Sequence, residues 1–438
     1  MLSECYKVTP VKKQSPFTVT VPGSKSITNR AMLLAALSDG ACTLKNALFS
    51  SDSRALLAAL QALGISCSAD ETTKEISVIG CGGTLPNQTG TVNAMSAGTA
   101  ARFLTALLAF SDGIYTLDAS EQMKKRPMAP LIDALSSIGI SVTPLENEGH
   151  LPLCIKGGQK SIQAPPELSV SIDQSSQFLS ALMMTGVLLP KGLTVTAIGS
   201  RTAMSYVHIT ERMMQEFGVT PIPVLREGLG TTYRIPGGVS YRSQTYDIEP
   251  DLSGACYFYA AAALLGTSVT VTGVHKASMQ GDLRFLSALE RLGCTVTDTP
   301  EGICVSGRAD RHYPGLDITM SDFSDQTMTM AVLALFADSP THIRGIGHIR
   351  AQECDRMTAT ITEIHRLGGN AKEDEDGTGI LITPTPLHGA RIETYDDHRM
   401  AMAFSLVGLR VDGVEIDNPN CCKKTFENYF DLFTHFFS

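Results

Sequence analysis

Six times along the chain, a small-polar or charged residue opens a run of Ala, Leu and Met that is apolar on nearly every side. The runs are "SKSITNRAMLLAALSDG", "SAGTAARFLTALLAFSDG", "SSQFLSALMMTGVLLPKG", "LSGACYFYAAAALLGTS", "SDQTMTMAVLALFADSP" and "DDHRMAMAFSLVGLRVDG". They start near Ser26, Gly98, Ser176, Ser253, Asp325 and His398, about 75 residues apart, a spacing that marks internal repetition. A helix that is apolar all round belongs inside a domain. Five runs are followed by a second helix that closes at a glycine and then by two alternating strands, as in "LRFLSALERLGCTVT" before "GICVSG". The sixth ends instead in the helix "NYFDLFTHFF", so its missing strand comes from elsewhere, and the N-terminal "FTVTV" is the candidate.

The repeating unit is therefore β-α-β-α-β-β, and three units per domain is the natural grouping. The expected fold is a two-domain α/β architecture, an inside-out barrel-like arrangement of six repeats with helices within and sheets around them. Residues 21–247 form the N-terminal domain. Residues 1–20 and 248–438 form the C-terminal domain, completed by the N-terminal strand, so the chain crosses between domains near Pro22 and again near Asp247 to Pro250.

Composition narrows the class. In 438 residues, 43% are hydrophobic and 18% charged, which suits two buried cores and excludes a disordered chain. The net charge of −9 argues against nonspecific nucleic-acid binding, so an anionic ligand must be held by a local basic cluster. Eleven cysteines show no C-x-x-C pair, the pattern of reduced thiols rather than of a disulfide or zinc framework. "MLSECYKVTPVKK" lacks the apolar core of a signal peptide and no apolar run reaches membrane-spanning length, so a soluble, cytoplasmic protein is expected.

The unusual chemistry gathers where the apolar helices begin: Lys25, Ser26 and Arg30; Ser96, Gly98, Thr99 and Arg102; Ser175, Ser176 and Gln177; Asp251; Asp325; Asp397, His398 and Arg399. "PGSKSITNR" is not a P-loop, because the first glycine of G-x-x-x-x-G-K-[ST] is missing. Singly, each group has an ordinary reading. Asp325 is a good N-cap, and Ser175-Ser176 a capping pair. Glu353 and Arg356 read as a helix-surface pair of about 0.3 kcal/mol. The Met-rich runs are core filler, and Asp397-His398 has no second His/Cys cluster to complete a metal site. Jointly these readings leave basic residues at successive repeat starts unexplained. Several helix N-termini aimed at one space would make a strong anion site.

At these residues the chain resembles the enolpyruvyl transferases, in their shikimate-pathway branch. The resemblance runs from about Pro22 to Phe430 and rests on "PGSKSITNRAMLLAAL", "SAGTAARFL", "KKRPMAPLIDAL", "SSQFLSAL", "SMQGDLRF", "QECDR", "DDHRMAMAFSLVGL" and "KKTFENYF", in the family's order. It implies transfer of the enolpyruvyl group of phosphoenolpyruvate to the 5-hydroxyl of shikimate 3-phosphate, releasing phosphate, on the route to chorismate and the aromatic amino acids. No metal or organic cofactor is implied. The implied partners are these two small molecules on a monomer, without nucleic acid or membrane.

The resemblance also assigns roles. Lys25 lies between both ligands; Ser26, Arg30, Ser175 and Ser176, with Tyr206 nearby, match acceptor-binding positions, and Gln177 a position near both. Ser96, Gly98 and Thr99 join this set, Gly98 because it lets a ligand approach the backbone. Arg126, Arg356, Arg399 and Lys424 match the phosphoenolpyruvate clamp, Asp325 the base for the acceptor hydroxyl, and Glu353 the group exchanging a proton at C3. Four residues depart from the commoner pattern: Gln352 for lysine, His348 and Ser96 for asparagine, and Ala203 for serine, all on or near the acceptor side. Arg350 and His348 are the neighbours that would compensate for Gln352. The alternatives are a weakly catalytic metabolite-binding homologue, opposed by intact Lys25, Asp325 and Glu353, and the branch acting on UDP-N-acetylglucosamine. That branch uses a loop cysteine which "DASEQMKKRPMAPL" lacks.

The implied residues are divided between the two halves of the sequence, so the acceptor is expected to draw the domains together. Small-angle scattering should show a smaller radius of gyration at saturating shikimate 3-phosphate; an unchanged radius contradicts domain closure.

Overall fold

The computed structural model describes residues 5–162, 164–199, 204–224 and 230–437. The chain divides into two compact units, one of Gly23–Ile248 and the other of Met1–Pro22 with Glu249–Ser438. It is a mixed α/β, two-domain fold.

The Gly23–Ile248 unit holds three four-stranded sheets. One runs Thr245–Asp247, Ala41–Lys45, Glu75–Ile79, Ser66–Asp70; the next Thr89–Asn93, Ile114–Asp118, Leu153–Lys156, Ser141–Pro144; the third Glu167–Ser171, Leu193–Ile198, Thr232–Ile235, Ile222–Val224. In each, only the first pair is parallel. Parallel neighbours need a crossover connection. In the second and third sheets it contains an apolar helix, Gly98–Ala109 or Gln177–Thr185. Every residue of Gly98–Ala109 is buried, and ten of the twelve in the corresponding Lys25–Ala36 helix. The outer helices, such as Ser51–Ala62, bury one face. That is the difference the two hydrophobic patterns encode.

The other unit is built alike. Its sheets run Thr295–Asp298, Gly302–Ser306, Ser268–Thr272, Phe17–Val19, and Asp317–Thr319, Thr341–Arg344, Ile380–Thr383, Asn370–Glu373. A three-stranded sheet of Cys5–Lys7, Glu415–Asp417 and Arg391–Ile392 completes it. Its inner helices are Leu252–Leu265, buried at all fourteen positions, Thr327–Ala334 and His398–Ser405. The closing helix Tyr429–Phe437 packs by its rings, with Phe430 on Tyr6 and Phe436 on Phe17, both at 4.4 Å between centroids.

One expectation needs correcting. The strand missing from the last repeat is Cys5–Lys7, antiparallel to Glu415–Asp417, and not "FTVTV". Phe17–Val19 instead lies parallel to Ser268–Thr272. A parallel first strand must deliver its end to the start of the buried helix. The Pro22 carbonyl does so, accepting from the Asp251 N–H at 2.7 Å where Leu252–Leu265 begins. The segment that precedes this helix in sequence, Thr245–Asp247, is spent on Ala41–Lys45 in the other unit. All eleven cysteines are free thiols, and no described helix is long and apolar enough to cross a membrane.

Candidate functional site

In the Gly23–Ile248 unit, the start of Lys25–Ala36 is not capped by a side chain: Ser24 occupies the N-cap without a side-chain bond. Lys25 Nζ instead lies 3.3 Å from Asp52 Oδ2, a carboxylate buried in the first turn of Ser51–Ala62. Arg30, one turn on, is 1% exposed. Its guanidinium donates to Ser26 O at 2.9 Å, Tyr206 O at 3.1 Å, Thr210 Oγ1 at 2.8 Å and Ser180 Oγ at 3.3 Å, and sits over the Phe103 ring. Burial lowers its pKa to about 10. Arg30 thereby ties Ser26 to Tyr206, two further candidate residues, from inside the core.

The other helix starts carry the remaining groups. Gln177 Nε2 donates to Thr99 Oγ1 at 3.4 Å, while the Gln177 N–H is held by Ser175 Oγ at 3.2 Å and Ser176 is buried. At Gly98 a Cβ would stand 2.6 Å from both Arg102 Nη1 and Arg126 Nη1. The glycine thus makes room for two guanidiniums at a helix N-terminus, where any side chain would crowd them. Ser96 Oγ hydrogen-bonds Ser120 Oγ at 2.8 Å. Ala203 lies outside the described residues.

In the other unit the site centres on Arg356. It is 1% exposed, so the reading of Glu353 and Arg356 as a surface pair fails. Nε donates to Asp397 Oδ2 at 2.8 Å, Nη1 to Asp325 Oδ1 at 3.0 Å and Nη2 to Glu353 Oε2 at 2.8 Å. Arg399 Nη2 reaches the second Asp325 oxygen at 2.9 Å, and Lys424 Nζ lies 3.5 Å from Glu353 Oε1. Burial alone would push the Arg356 pKa down, but Asp397, Glu353 and Asp325 outweigh it and hold the group above its ordinary value. Three cations thus face three carboxylates. A carboxylate held by guanidiniums is oriented through both oxygens.

His348 Nε2 is 2.8 Å from Ser324 Oγ, the residue before Asp325, which brings this departure beside the site. Arg350 does not stand in for the lysine that Gln352 replaces: it is taken up by Asp355 at 2.9 Å and Glu373 at 2.5 Å. Among the described residues, no group of three or more His, Cys, Asp or Glu is arranged to hold a metal.

Two buried acids close to candidate residues, Asp52 beside Lys25 and Asp282 near Asp325, escaped the sequence reading. Asp52 lies in "SSDSR", which shows only a helix start. Asp282 lies within the quoted "SMQGDLRF" and is 6% exposed, with one oxygen on Ser253 Oγ at 2.7 Å. Burial chiefly, then the nearby Asp325 charge, raises its pKa from 3.8 to about 6.

The chain matches the family model "EPSP synthase (3-phosphoshikimate 1-carboxyvinyltransferase)" over residues 9–433. A 3-phosphoshikimate 1-carboxyvinyltransferase of Trichormus variabilis is 41% identical over 416 residues, 95% of each chain. One from Yersinia pseudotuberculosis serotype O:3 is 43% identical over 420 residues, again 95% of each. Among solved structures, the EPSP synthase of Acinetobacter baumannii superposes with a TM-score of 0.81 at 23% identity, covering 99% of this chain and 98% of that one. The enolpyruvyl transferase NikO from Streptomyces tendae gives 0.73 at 16% identity, covering 99% and 97%. The folds agree at these low identities. The chain belongs to the EPSP synthase family, a family of carboxyvinyl-transferring enzymes.

The raised pKa of Asp282 has a cost in stability. Unfolded, this carboxyl releases its proton near 3.8; folded, near 6. Between those values the folded state keeps a proton that the unfolded chain has lost, so stability falls as pH rises, by on the order of 3 kcal/mol once above both. Asp282→Asn should therefore raise Tm at pH 8 relative to wild type and narrow the difference at pH 4. A lower Tm for the variant at pH 8 contradicts the assignment.

Proposed function

We propose that the chain transfers the enolpyruvyl group of phosphoenolpyruvate to the 5-hydroxyl of shikimate 3-phosphate, yielding 5-enolpyruvylshikimate 3-phosphate and inorganic phosphate. Family membership supports the reaction. The observation that supports the residue roles is the Arg356-centred set, which holds Asp325 and Glu353 on one guanidinium with Arg399 and Lys424 on their remaining oxygens. The finer architecture belongs to the same reading: six β-α-β-α-β-β repeats, three per domain, with helices enclosed by sheets.

The reaction needs positive charge for two phosphates and a carboxylate on each substrate, and two proton transfers of opposite sense at C3. Asp325 takes the proton from the acceptor hydroxyl as that oxygen bonds to C2 of the enolpyruvyl group. The C2=C3 electron pair moves to C3, which takes a proton from Glu353 in its acid form. In the tetrahedral intermediate, C3 then returns a proton to Glu353, the double bond re-forms and the C2–O bond to phosphate breaks, the departing phosphate taking up the proton that Asp325 had accepted, so that both acids return to their starting states. Lys25 offers its charge to the departing phosphate. Arg126, Arg356, Arg399 and Lys424 hold phosphoenolpyruvate. Ser26, Arg30, Ser175, Ser176, Gln177, Tyr206, His348 and Gln352 serve the acceptor, with Ser96, Gly98 and Thr99 at the second helix start. Arg30 acts there by fixing Ser26 and Tyr206.

Asp325→Asn should lower kcat by about 10²–10⁴, the span of a lost general base, and Lys25→Ala by about 10²–10³, the span of a lost electrostatic contact. Phosphate release on mixing both substrates measures this, with circular dichroism as the check on folding. Near-normal turnover in either variant overturns that residue's role, and no phosphate release from wild type overturns the reaction.

A further inference from the structure

Asp282 occupies the N-cap position of the helix Leu283–Arg291, yet its side chain caps nothing there. An aspartate at this position ordinarily accepts from the helix's own first-turn N–H groups. Here the carboxyl turns away and accepts from Ser253 Oγ in the first turn of Leu252–Leu265. Its other oxygen, Oδ1, is buried and has no hydrogen-bond partner among the described residues. A buried acid left half-satisfied and turned off its own helix is costly.

Its connections lead to one place. Ser253 O accepts from Gln326 Nε2 at 3.4 Å, and Gln326, fully buried, adjoins Asp325 and is held in turn by Thr329 Oγ1 at 3.1 Å. Two residues beyond Asp282, Arg284 pairs with Asp322 at the start of the Ser321–Gln326 turn. That turn breaks at Phe323, with φ −139° and ψ 40°, just before the segment carrying Asp325. So the start of Leu283–Arg291 holds one end of the Asp325 turn directly, through Arg284, and is linked to the other through Ser253. The charged and titratable groups facing Asp282 are Asp325 and Asp251, which oppose its ionisation, Arg399, which favours it, and the buried Cys256 thiol.

We propose that Asp282 is a positioning residue for Asp325, a second buried acid whose negative charge makes Asp325 readier to accept the proton leaving the substrate hydroxyl. The inference rests on the reading of Asp325 as the base. Asp325 faces two guanidiniums, Arg356 and Arg399, which compensate its negative charge. A like charge buried nearby opposes them, because two neighbouring carboxylates do not readily both stay ionised. Asp282 does not touch the reacting atoms. It biases Asp325, one of the two carboxyl groups that do.

The test is the pH dependence of kcat in wild type, Asp282→Asn and Asp325→Asn. With Asp282 neutral, kcat at pH 7 should fall about 3- to 30-fold and the acidic limb should move about half to one pH unit lower, with KM for both substrates within about twofold. A purely structural role would not move the limb. If Asp282→Asn keeps the wild-type limb and kcat while Asp325→Asn is crippled, the inference is overturned and the base assignment stands. If Asp325→Asn turns over normally, both fall. Should Asp282→Asn fail to fold, infrared titration of the carboxyl band near pH 6 in wild type and Asp325→Asn decides. Its midpoint should drop when the Asp325 charge is removed, and an unmoved midpoint overturns the coupling.

Discussion

Arg356 is a guanidinium taken out of water, and the organisation of its unit follows from what that requires. An unpaired charge in a protein interior is prohibitively costly, so its N–H groups must be met. Asp325, Glu353 and Asp397 meet them, from three separate stretches of chain. Each carboxylate then has a second oxygen to place. Asp325 offers one to Arg399 and Glu353 one to Lys424, while Asp397 Oδ1 accepts the Arg399 N–H at 2.9 Å. One buried fork thereby orders three acids and two further cations. On the proposed reading, two of those acids carry the proton transfers.

The fold makes this arrangement possible by burying helices whole. A helix that is apolar all round leaves only its ends for polar work, and its N-terminal N–H groups point at whatever lies there. Many of the candidate residues accordingly stand at the starts of Lys25–Ala36, Gly98–Ala109, Gln177–Thr185 and His398–Ser405, and in the turn before Thr327–Ala334. The outer helices contribute by reaching in at their first turns, as Asp52 does toward Lys25 and Arg356 toward Asp325. Stability is given up locally for this. Asp282 is an acid that folding would prefer to keep protonated.

Much of this was legible in the sequence because it is written in long, strong patterns. The buried helices announce themselves by apolar runs that repeat at a fixed spacing, and their starts by residues too basic for caps. What was not legible depends on pairing at a distance. Cys5–Lys7 and Phe17–Val19 are three-residue strands, too short for an alternation to show which sheet each joins. The Glu353–Arg356 spacing fits a surface pair equally well, and only the approach of Asp325 and Asp397 from far along the chain shows it to be buried. Asp282 resembles an ordinary N-cap in sequence; its turn toward Ser253 is a tertiary fact.

The claim that one buried guanidinium organises the acids is tested most directly by Arg356→Lys, measured for both Tm and kcat. Lysine keeps the charge but is a single point with three rotatable donors, and it cannot span three carboxylates as the planar fork does. The account predicts a loss of stability of about 3–5 kcal/mol, the range for breaking a buried ion pair. Turnover should fall with it by at least about a hundredfold, as Asp325 and Glu353 lose their common anchor. A lysine variant with wild-type Tm and wild-type kcat would contradict it.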